Sequence, residues 1–292
     1  MNKFLKYEQF AKWLVGIVDG DGTFYFGLSK IKSWSFSFQV AQSSYNLRLL
    51  FYIKHKLKVG SISIDEKNDM AVYRIRDKNL ILKHIIPLFD RHPLLTCKHY
   101  KYIIFKEALL TSINSKLSFE EKNIKISKLK TSQHSIPINY KSPVWLNLNK
   151  VNFQKNLEQI VTKSWVIGFV EAEGSFYITK KDPTRLVHTF EITQKTDKHV
   201  LEAISLIFKI KTGVRQKKTY FSIVSSRQET IQFLISYFFK TMKGMKSLEY
   251  RIWARSYNKK QRGFKYLENI REKMRNIRAI RFSKDYKKFI KH

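Results

Sequence analysis

Apolar residues first recur at helical spacing. Over residues 8–20, Phe10, Trp13, Leu14, Ile17 and Val18 fall on one stripe of a helix that Gly22 ends. The period then drops to two. Over 23–30, Phe24, Phe26 and Leu28 alternate with Thr23, Tyr25, Gly27 and Ser29. Over 33–40, Trp34, Phe36, Phe38 and Val40 alternate with Ser33, Ser35, Ser37 and Gln39. Both segments read as strands with an apolar face turned to a core and a polar face left open. A second hairpin is expected at 61–65 and 71–76, with Arg74 and Arg76 on its polar face, and helices over 44–58, 78–86 and 97–115. From residue 162 the order starts again. A helix spans 162–173, strands follow at 175–181, 186–194, 213–217 and 219–225, and helices at 197–210, 227–240 and 246–258. His188 falls on an inward face, as a core histidine. Between the halves, Ser118-Phe119-Glu120-Glu121 is a capping box that opens a short helix to about Lys130. A Ser/Pro/Asn-rich stretch, Thr131 to Asn149, comes next. The pattern divides the chain into an N-terminal repeat (1–116), a linker with a short helix (117–161), a C-terminal repeat (162–258) and a basic helical tail (259–292).

The second half also repeats the first in detail. Leu14-Val15-Gly16-Ile17-Val18-Asp19-Gly20-Asp21-Gly22 returns as Val166-Ile167-Gly168-Phe169-Val170-Glu171-Ala172-Glu173-Gly174. Phe38-Gln39-Val40-Ala41-Gln42 returns as Phe190-Glu191-Ile192-Thr193-Gln194. Pro93-Leu94-Leu95-Thr96-Cys97-Lys98 parallels Thr241-Met242-Lys243-Gly244-Met245-Lys246. An acid, a glutamine and a lysine therefore recur in one order with nearly fixed spacing. The fold this implies is α+β, built from two pseudo-symmetric αββαββα halves with helices on the apolar faces of two half-sheets. Small residues four apart, Gly16/Gly20 and Gly168/Ala172, let two helix backbones approach closely. Packing of the two motif helices would bring Asp21 and Glu173 into one shared space.

Charge narrows the partner. The formal net charge is +33 on a chain that is 43% hydrophobic, so this is a globular protein matched to a polyanion rather than a disordered polycation. No apolar run reaches the roughly 18 residues of a membrane span. The single cysteine, Cys97, excludes an intramolecular disulfide and a cysteine-based zinc cluster, and the eight histidines show no ligand-like pairing. The tail is the densest cationic segment, with 13 Lys/Arg against 3 acids. There Leu267, Ile270, Met274 and Ile277 lie at helical spacing among Arg271, Arg275 and Arg278. Abundant Lys, Ile, Asn, Phe and Tyr point to an A·T-rich coding genome such as that of a mitochondrion or chloroplast. The first residues lack a secretory signal, and the motif helix starts almost at once, so the expectation is a protein encoded in its organelle.

The repeated residues then suggest chemistry. A carboxylate at a helix C-terminus faces the negative end of the dipole, at a cost of about 0.3–1 kcal/mol, and a second carboxylate nearby adds repulsion. Divalent cations reverse both penalties. Oxygen ligands, namely Asp21, Glu173 and the carbonyls of Gly20 and Ala172, suit Mg²⁺. A metal–oxygen site facing a basic groove points to phosphodiester hydrolysis. Gln42 and Gln194 would position the attacking water, and Lys98 and Lys246 would stabilise the charged transition state. The polar strand faces supply candidate DNA contacts as a set: Tyr25, Ser29, Ser33, Ser35, Ser37, Gln39, Arg74 and Arg76 in the first half, and Tyr177, Thr179, Lys181, Arg185, Thr189, Glu191, Arg215 and Lys217 in the second. A merely solvated strand face carries the same alternation.

The paired motifs, the two strand ends with their glutamines and the two lysines resemble the LAGLIDADG homing endonucleases in the single-chain form with two motif copies. The resemblance covers about 10–258. It implies motif helices packed at an interface, two saddle-shaped antiparallel sheets on double-stranded DNA, and metal bound by the last acid of each motif, Asp21 and Glu173. It assigns supporting roles to Gln42, Gln194, Lys98 and Lys246 and a structural role to Asp19 and Glu171. It also implies a monomer that cuts a long pseudo-palindromic target, one phosphodiester per strand, with Mn²⁺ able to replace Mg²⁺, from a gene inside an intron. Two other activities occur around this resemblance: an RNA maturase that helps its host intron fold, which the basic tail would suit, and a DNA binder that has lost cleavage. Glu191 departs from the pattern, since Gln39 holds that place in the first half; an acid on a DNA face can accept from a cytosine amino group.

Overall fold

The computed structural model describes residues 3–29, 33–148, 153–259 and 263–279. The first half runs α1 (Lys3–Asp21), β1 (Gly22–Leu28), β2 (Trp34–Ser43), α2 (Leu47–Leu57), β3 (Ser61–Asp65), β4 (Met70–Ile75), α3 (Lys78–Leu80), α4 (Ile86–Arg91) and α5 (Lys98–Ile113). Then come α6 (Phe119–His134) and α7 (Phe153–Ile160). The second half runs α8 (Lys163–Glu173), β5 (Gly174–Asp182), β6 (Arg185–Gln194), α9 (Lys198–Ile207), β7 (Arg215–Gln216), β8 (Phe221–Ser225), α10 (Gln228–Tyr237) and α11 (Lys246–Asn258), followed by α12 (Phe264–Ala279).

The two four-stranded sheets share one topology, β1-β2-β4-β3 and β5-β6-β8-β7. They also share register. Gly22 faces Val40 and Phe24 faces Phe38; Gly174 faces Ile192 and Phe176 faces Phe190. The strand cores repeat as well. The Phe24 ring lies 5.2–5.6 Å from those of Phe38, Phe89, Tyr102 and Phe105. Phe176 lies 5.1–5.7 Å from Phe190, Phe238, Tyr250 and Trp253. Tilted and edge-on aromatic pairs of this kind add about 0.5–1.5 kcal/mol each beyond area burial. This alternation of large rings, written into both halves, seats each sheet on its helices. The fold is α+β and pseudo-symmetric.

By internal contacts the chain divides into two compact units. One comprises Met1–Val40, Lys54–Ile62 and Tyr73–Phe169. The other comprises Ala41–Ile53, Ser63–Val72 and Val170–His292. The division interleaves the repeats, because residues 41–53 and 63–72 of the first half group with the second. A cut by sequence position at 116, 161 and 258 does not reproduce this grouping.

Several local expectations change. The helix expected over 78–86 is broken by a π turn, Ile81–Ile85, in which the Ile86 N–H reaches back to the Ile81 carbonyl. Pro87, the second residue of α4, has no N–H to donate, and its ring would crowd the carbonyl four residues back; a wider turn relieves that crowding. The capping box is present, with Ser118 Oγ accepting from Glu121 N at 3.2 Å and Glu121 accepting from Ser118 N at 2.7 Å, but its helix continues to His134. Leu28, expected inside, is 56% exposed at the last rung of its hairpin, opposite Trp34. The strand expected over 213–217 shortens to Arg215–Gln216. The tail helix docks through buried Leu267 and Met274. Residue 30 of the expected strand and residues 149–152, 260–262 and 280–292 of the expected linker and tail lie outside the described residues.

Candidate active site

Asp21 and Glu173 are the last residues of α1 and α8, and each is followed by the glycine that starts an edge strand. Both are partly exposed. The first acid of each motif has the opposite environment. Asp19 and Glu171 are 1% and 2% exposed. Asp19 Oδ2 accepts from Leu95 N at 3.0 Å and Trp165 Nε1 at 2.7 Å, while Oδ1 accepts from Thr96 N at 3.0 Å and Thr96 Oγ1 at 2.6 Å. Burial pushes the Asp19 carboxyl up to about 6, and the hydrogen bonds, Thr96 Oγ1 foremost, hold it from going higher. Glu171 Oε1 accepts from Lys243 N at 2.7 Å and Gly244 N at 2.6 Å.

Apart from Trp165, which lies on α8, these donors belong to the turns that lead into α5 and α11, whose first residues are Lys98 and Lys246. The buried acid therefore ties each lysine-bearing helix to the end of its own motif helix. Lys98 Nζ donates to the Val18 carbonyl at 3.1 Å and to the Gly20 carbonyl. Lys246 Nζ donates to the Gly174 carbonyl. The ammonium groups meet the backbone where each motif helix gives way to its strand, and Gly20 offers its carbonyl to Lys98. An oxygen expected to ligate metal is thus already an acceptor for a cation.

The backbone permits the motif helices to approach as their small residues imply. A Cβ on Gly16 would stand 2.1 Å from the Trp165 carbonyl oxygen and 2.8 Å from Phe169 N; one on Gly168 would stand 2.0 Å from the Trp13 carbonyl oxygen. Only glycine admits these contacts.

The glutamines differ from each other. Gln194 Oε1 accepts from the neighbouring Lys195 N at 3.0 Å, a local strand-end bond. Gln42 Oε1 accepts from Asn46 Nδ2 at 2.7 Å, and Asn46 Oδ1 accepts from Met245 N at 2.8 Å. Spacing along the chain pairs Gln42 with Asp21 and Lys98, yet the structure links it through Asn46 to the turn that carries Lys246. Sequence reasoning missed Asn46 because nothing in its neighbourhood marks an asparagine that reaches the other repeat. It likewise missed Thr96 and Trp165 as partners of Asp19.

Asp21 lines a cleft of about 390 Å³ together with Gly20, Tyr25, Lys98, Lys101, Lys130 and Gln133. Lys130 Nζ lies 4.9 Å from the Tyr25 ring centre, and desolvation holds its ammonium below the usual lysine range. One carboxylate thus faces several cations, the arrangement a phosphodiester would complement.

Most of the candidate DNA contacts lie open. Tyr25, Ser33, Ser35, Arg76, Lys181, Arg185, Arg215 and Lys217 are exposed, and Ser29, Gln39, Arg74, Tyr177, Thr179 and Glu191 are partly so. Two are corrected. Ser37 is 5% exposed, because Gln39 folds over it with Nε2 donating to Ser37 Oγ at 2.6 Å, and Arg74 in turn donates to Gln39 Oε1 at 3.2 Å. Thr189 is 1% exposed and pairs with Ser226 Oγ at 2.9 Å. A short side chain beside a long one, as Ser37 is beside Gln39, can be roofed over even on a polar face. Glu191 accepts from Tyr177 OH at 2.9 Å, a bond that burial and the carboxylate together reflect in a strongly raised phenol. His188 is a core histidine bonded to Ser256 Oγ at 2.7 Å. No helix among the described residues is long and apolar enough to cross a membrane.

The LAGLIDADG endonuclease family model matches residues 14–109 and 166–257, one region for each repeat. A probable intron-encoded endonuclease of Schizosaccharomyces pombe is 40% identical over 280 residues, which cover 92% of this chain and 69% of that protein. Among solved structures, the LAGLIDADG meganuclease I-AabMI bound to uncleaved DNA superposes with a TM-score of 0.71 at 24% identity, covering 90% of this chain and 98% of that one. I-SmaMI bound to an uncleaved DNA target in the presence of calcium ions superposes with a TM-score of 0.71 at 22% identity, covering 92% and 97%. A duplicated motif, a shared fold and a close relative converge, and the chain belongs to the LAGLIDADG endonuclease family.

Proposed function

We propose that this protein is a site-specific endonuclease that hydrolyses one phosphodiester in each strand of duplex DNA, with Mg²⁺ as the divalent cation. The observation that carries the reading is the repeated lysine. In each half a buried acid anchors the helix whose first residue is Lys98 or Lys246, and the ammonium reaches the backbone beside the second motif acid. Asp21 and Glu173 are carboxylates, oxygen donors that fit a hard divalent cation. Family members use divalent metals, and one structural neighbour was determined with calcium present. When bound, the cation would lower the pKa of an attacking water and neutralise the leaving 3′ oxygen.

The remaining steps belong to the chain. Asp21 and Glu173 would hold the cation at the end of the motif helix in their own half. Lys98 and Lys246 would place a positive charge against the pentacoordinate phosphate as its negative charge grows. In that displacement a water oxygen bonds to phosphorus, the P–O3′ bond breaks, and the 3′ oxygen takes a proton. Gln42 and Gln194 would orient the water through their amide groups. The open faces carrying Tyr25, Ser35, Arg76, Lys181, Arg185 and Arg215 would track the backbone and the major groove.

The gene is proposed to lie in an intron of a mitochondrial genome, as the S. pombe relative's name and a mitochondrial relative in Saccharomyces cerevisiae suggest. An RNA maturase role is the less favoured reading, since the S. pombe relative is named an intron-encoded endonuclease. The test is incubation with Mg²⁺ and a duplex spanning the intronless form of the insertion site. Cleavage of both strands is expected, and Asp21→Asn should abolish it while leaving binding intact. A target that is bound but never cut would overturn the reading.

A further inference from the structure

β1 and β5 are edge strands, paired on one side only. Their outward carbonyls need donors from elsewhere. One carbonyl is satisfied the same way in both halves. The Phe24 carbonyl accepts from Gln133 Nε2 at 2.9 Å, and the Phe176 carbonyl accepts from Arg278 Nη2 at 2.6 Å. Phe24 and Phe176 hold matched register positions, opposite Phe38 and Phe190. Each lies three residues past the second motif acid. The donors match too. Gln133 lies on α6 and Arg278 on α12; both helices begin with phenylalanine, and each donor stands 14 positions after that phenylalanine. Each also follows a lysine-headed helix, α5 or α11. The repeat therefore continues through the linker helix and the tail helix, where the sequences no longer resemble each other.

Resting on the endonuclease reading above, we infer that Gln133 and Arg278 are positioning residues, each holding the start of its edge strand, and with it the preceding catalytic acid, in place for its own half of the reaction. Gln133 is buried and lines the cleft that holds Asp21 and Lys98. Arg278 is further fixed by Glu249 at 2.8 Å. The brace is neutral in the first half and charged in the second, so the two halves respond differently to salt.

The test resolves the two strands. A duplex target labelled on both strands is incubated with Mg²⁺ and the full chain. Gln133→Met should slow nicking of one strand about 10-fold, the scale expected when a reacting group shifts by a fraction of an ångström, and leave the other strand unchanged. Arg278→Met should slow the opposite strand. Arg278→Lys, which keeps a charged donor, and Glu249→Gln, which removes the ion pair and keeps the brace, should stay within about 2-fold of the parent. Equal slowing of both strands by either Met variant, or no slowing, overturns the inference. Amide hydrogen exchange gives a second readout without cleavage. Residues 22–28 should exchange faster in Gln133→Met and residues 174–182 in Arg278→Met, each without the other. Unchanged exchange overturns the brace. If the parent protein fails to cut, the endonuclease reading fails, while exchange still decides whether the brace exists.

Discussion

Gly16→Ala sets a local preference against a packing constraint. In an exposed helix the substitution stabilises by about 1 kcal/mol, because alanine is the better helix former. At residue 16 the new methyl would lie 2.1 Å from the Trp165 carbonyl oxygen, 2.8 Å from Phe169 N and 3.0 Å from the Trp165 carbonyl carbon. The obstructing atoms are all backbone, so no rotamer change removes them. To reach an ordinary contact of about 3.4 Å the two backbones must separate by more than 1 Å at that point, opening a gap along the close-packed stripe. Overpacking costs about 1–3 kcal/mol, and more where backbone must move, so the clash outweighs the propensity gain. With the cost at or above the top of that range and a gain of about 1 kcal/mol, a net loss of about 2 kcal/mol or more is expected, which lowers Tm by at least roughly 4 °C at 2–4 °C per kcal/mol. Gly213→Ala is the control. Its Cβ would meet nothing within 4 Å and its backbone is not in the left-handed region, so it should raise stability by about 0.4–1 kcal/mol. Urea unfolding of the three proteins, with unchanged m values, gives the comparison. If Gly16→Ala is as stable as its parent or more so, the helices do not approach as closely as described.

The raised Asp19 carboxyl makes stability depend on pH. Its folded value, about 6, lies above the ordinary 3.8, so between roughly pH 4 and 6 the folded state holds the proton more tightly than the unfolded one. This group's contribution therefore declines as pH rises through that window, by on the order of 3 kcal/mol, and is flat above it. Asp19→Asn should remove that slope in urea titrations; a slope that persists belongs to another group. Trp165→Phe deletes one donor to the same buried carboxylate and should cost about 1.5–3 kcal/mol, visible as a shifted urea midpoint. Arg76→Ala should weaken target binding and reduce the slope of log K against log salt by about one, whereas Ser37→Ala should leave both unchanged because Ser37 is roofed by Gln39. A Ser37 variant that alters the salt slope would show that this residue reaches the DNA.

Legibility followed range. The strands of both sheets, the capping box at Ser118 and the core position of His188 were readable because each depends on residues within a few positions of one another. The roles of Asp19 and Glu171 were readable only as an exclusion, through a family likeness. Their partners, Leu95, Thr96 and Trp165 for one and Lys243 and Gly244 for the other, are far along the chain and mostly backbone donors, which no side-chain pattern marks. The π turn before Pro87 was missed for a different reason. A proline inside a helical pattern announces a disruption, yet several backbone paths can accommodate it.

The sequence by itself determined the duplication. Periodicity sets which face of each helix and strand is apolar, and two copies of an acid, a glutamine and a lysine can be counted without coordinates. Tertiary structure decided which residues meet and what covers what. Gln42 bonds through Asn46 to the turn before Lys246, Ser37 lies beneath Gln39, Thr189 is buried against Ser226, and Gln133 and Arg278 meet equivalent carbonyls from unlike helices. The physical reason is that burial and hydrogen bonding are settled by atoms brought together from distant positions. A carbonyl on an edge strand accepts any donor that reaches it, so a glutamine and an arginine can fill one role without resembling each other in sequence.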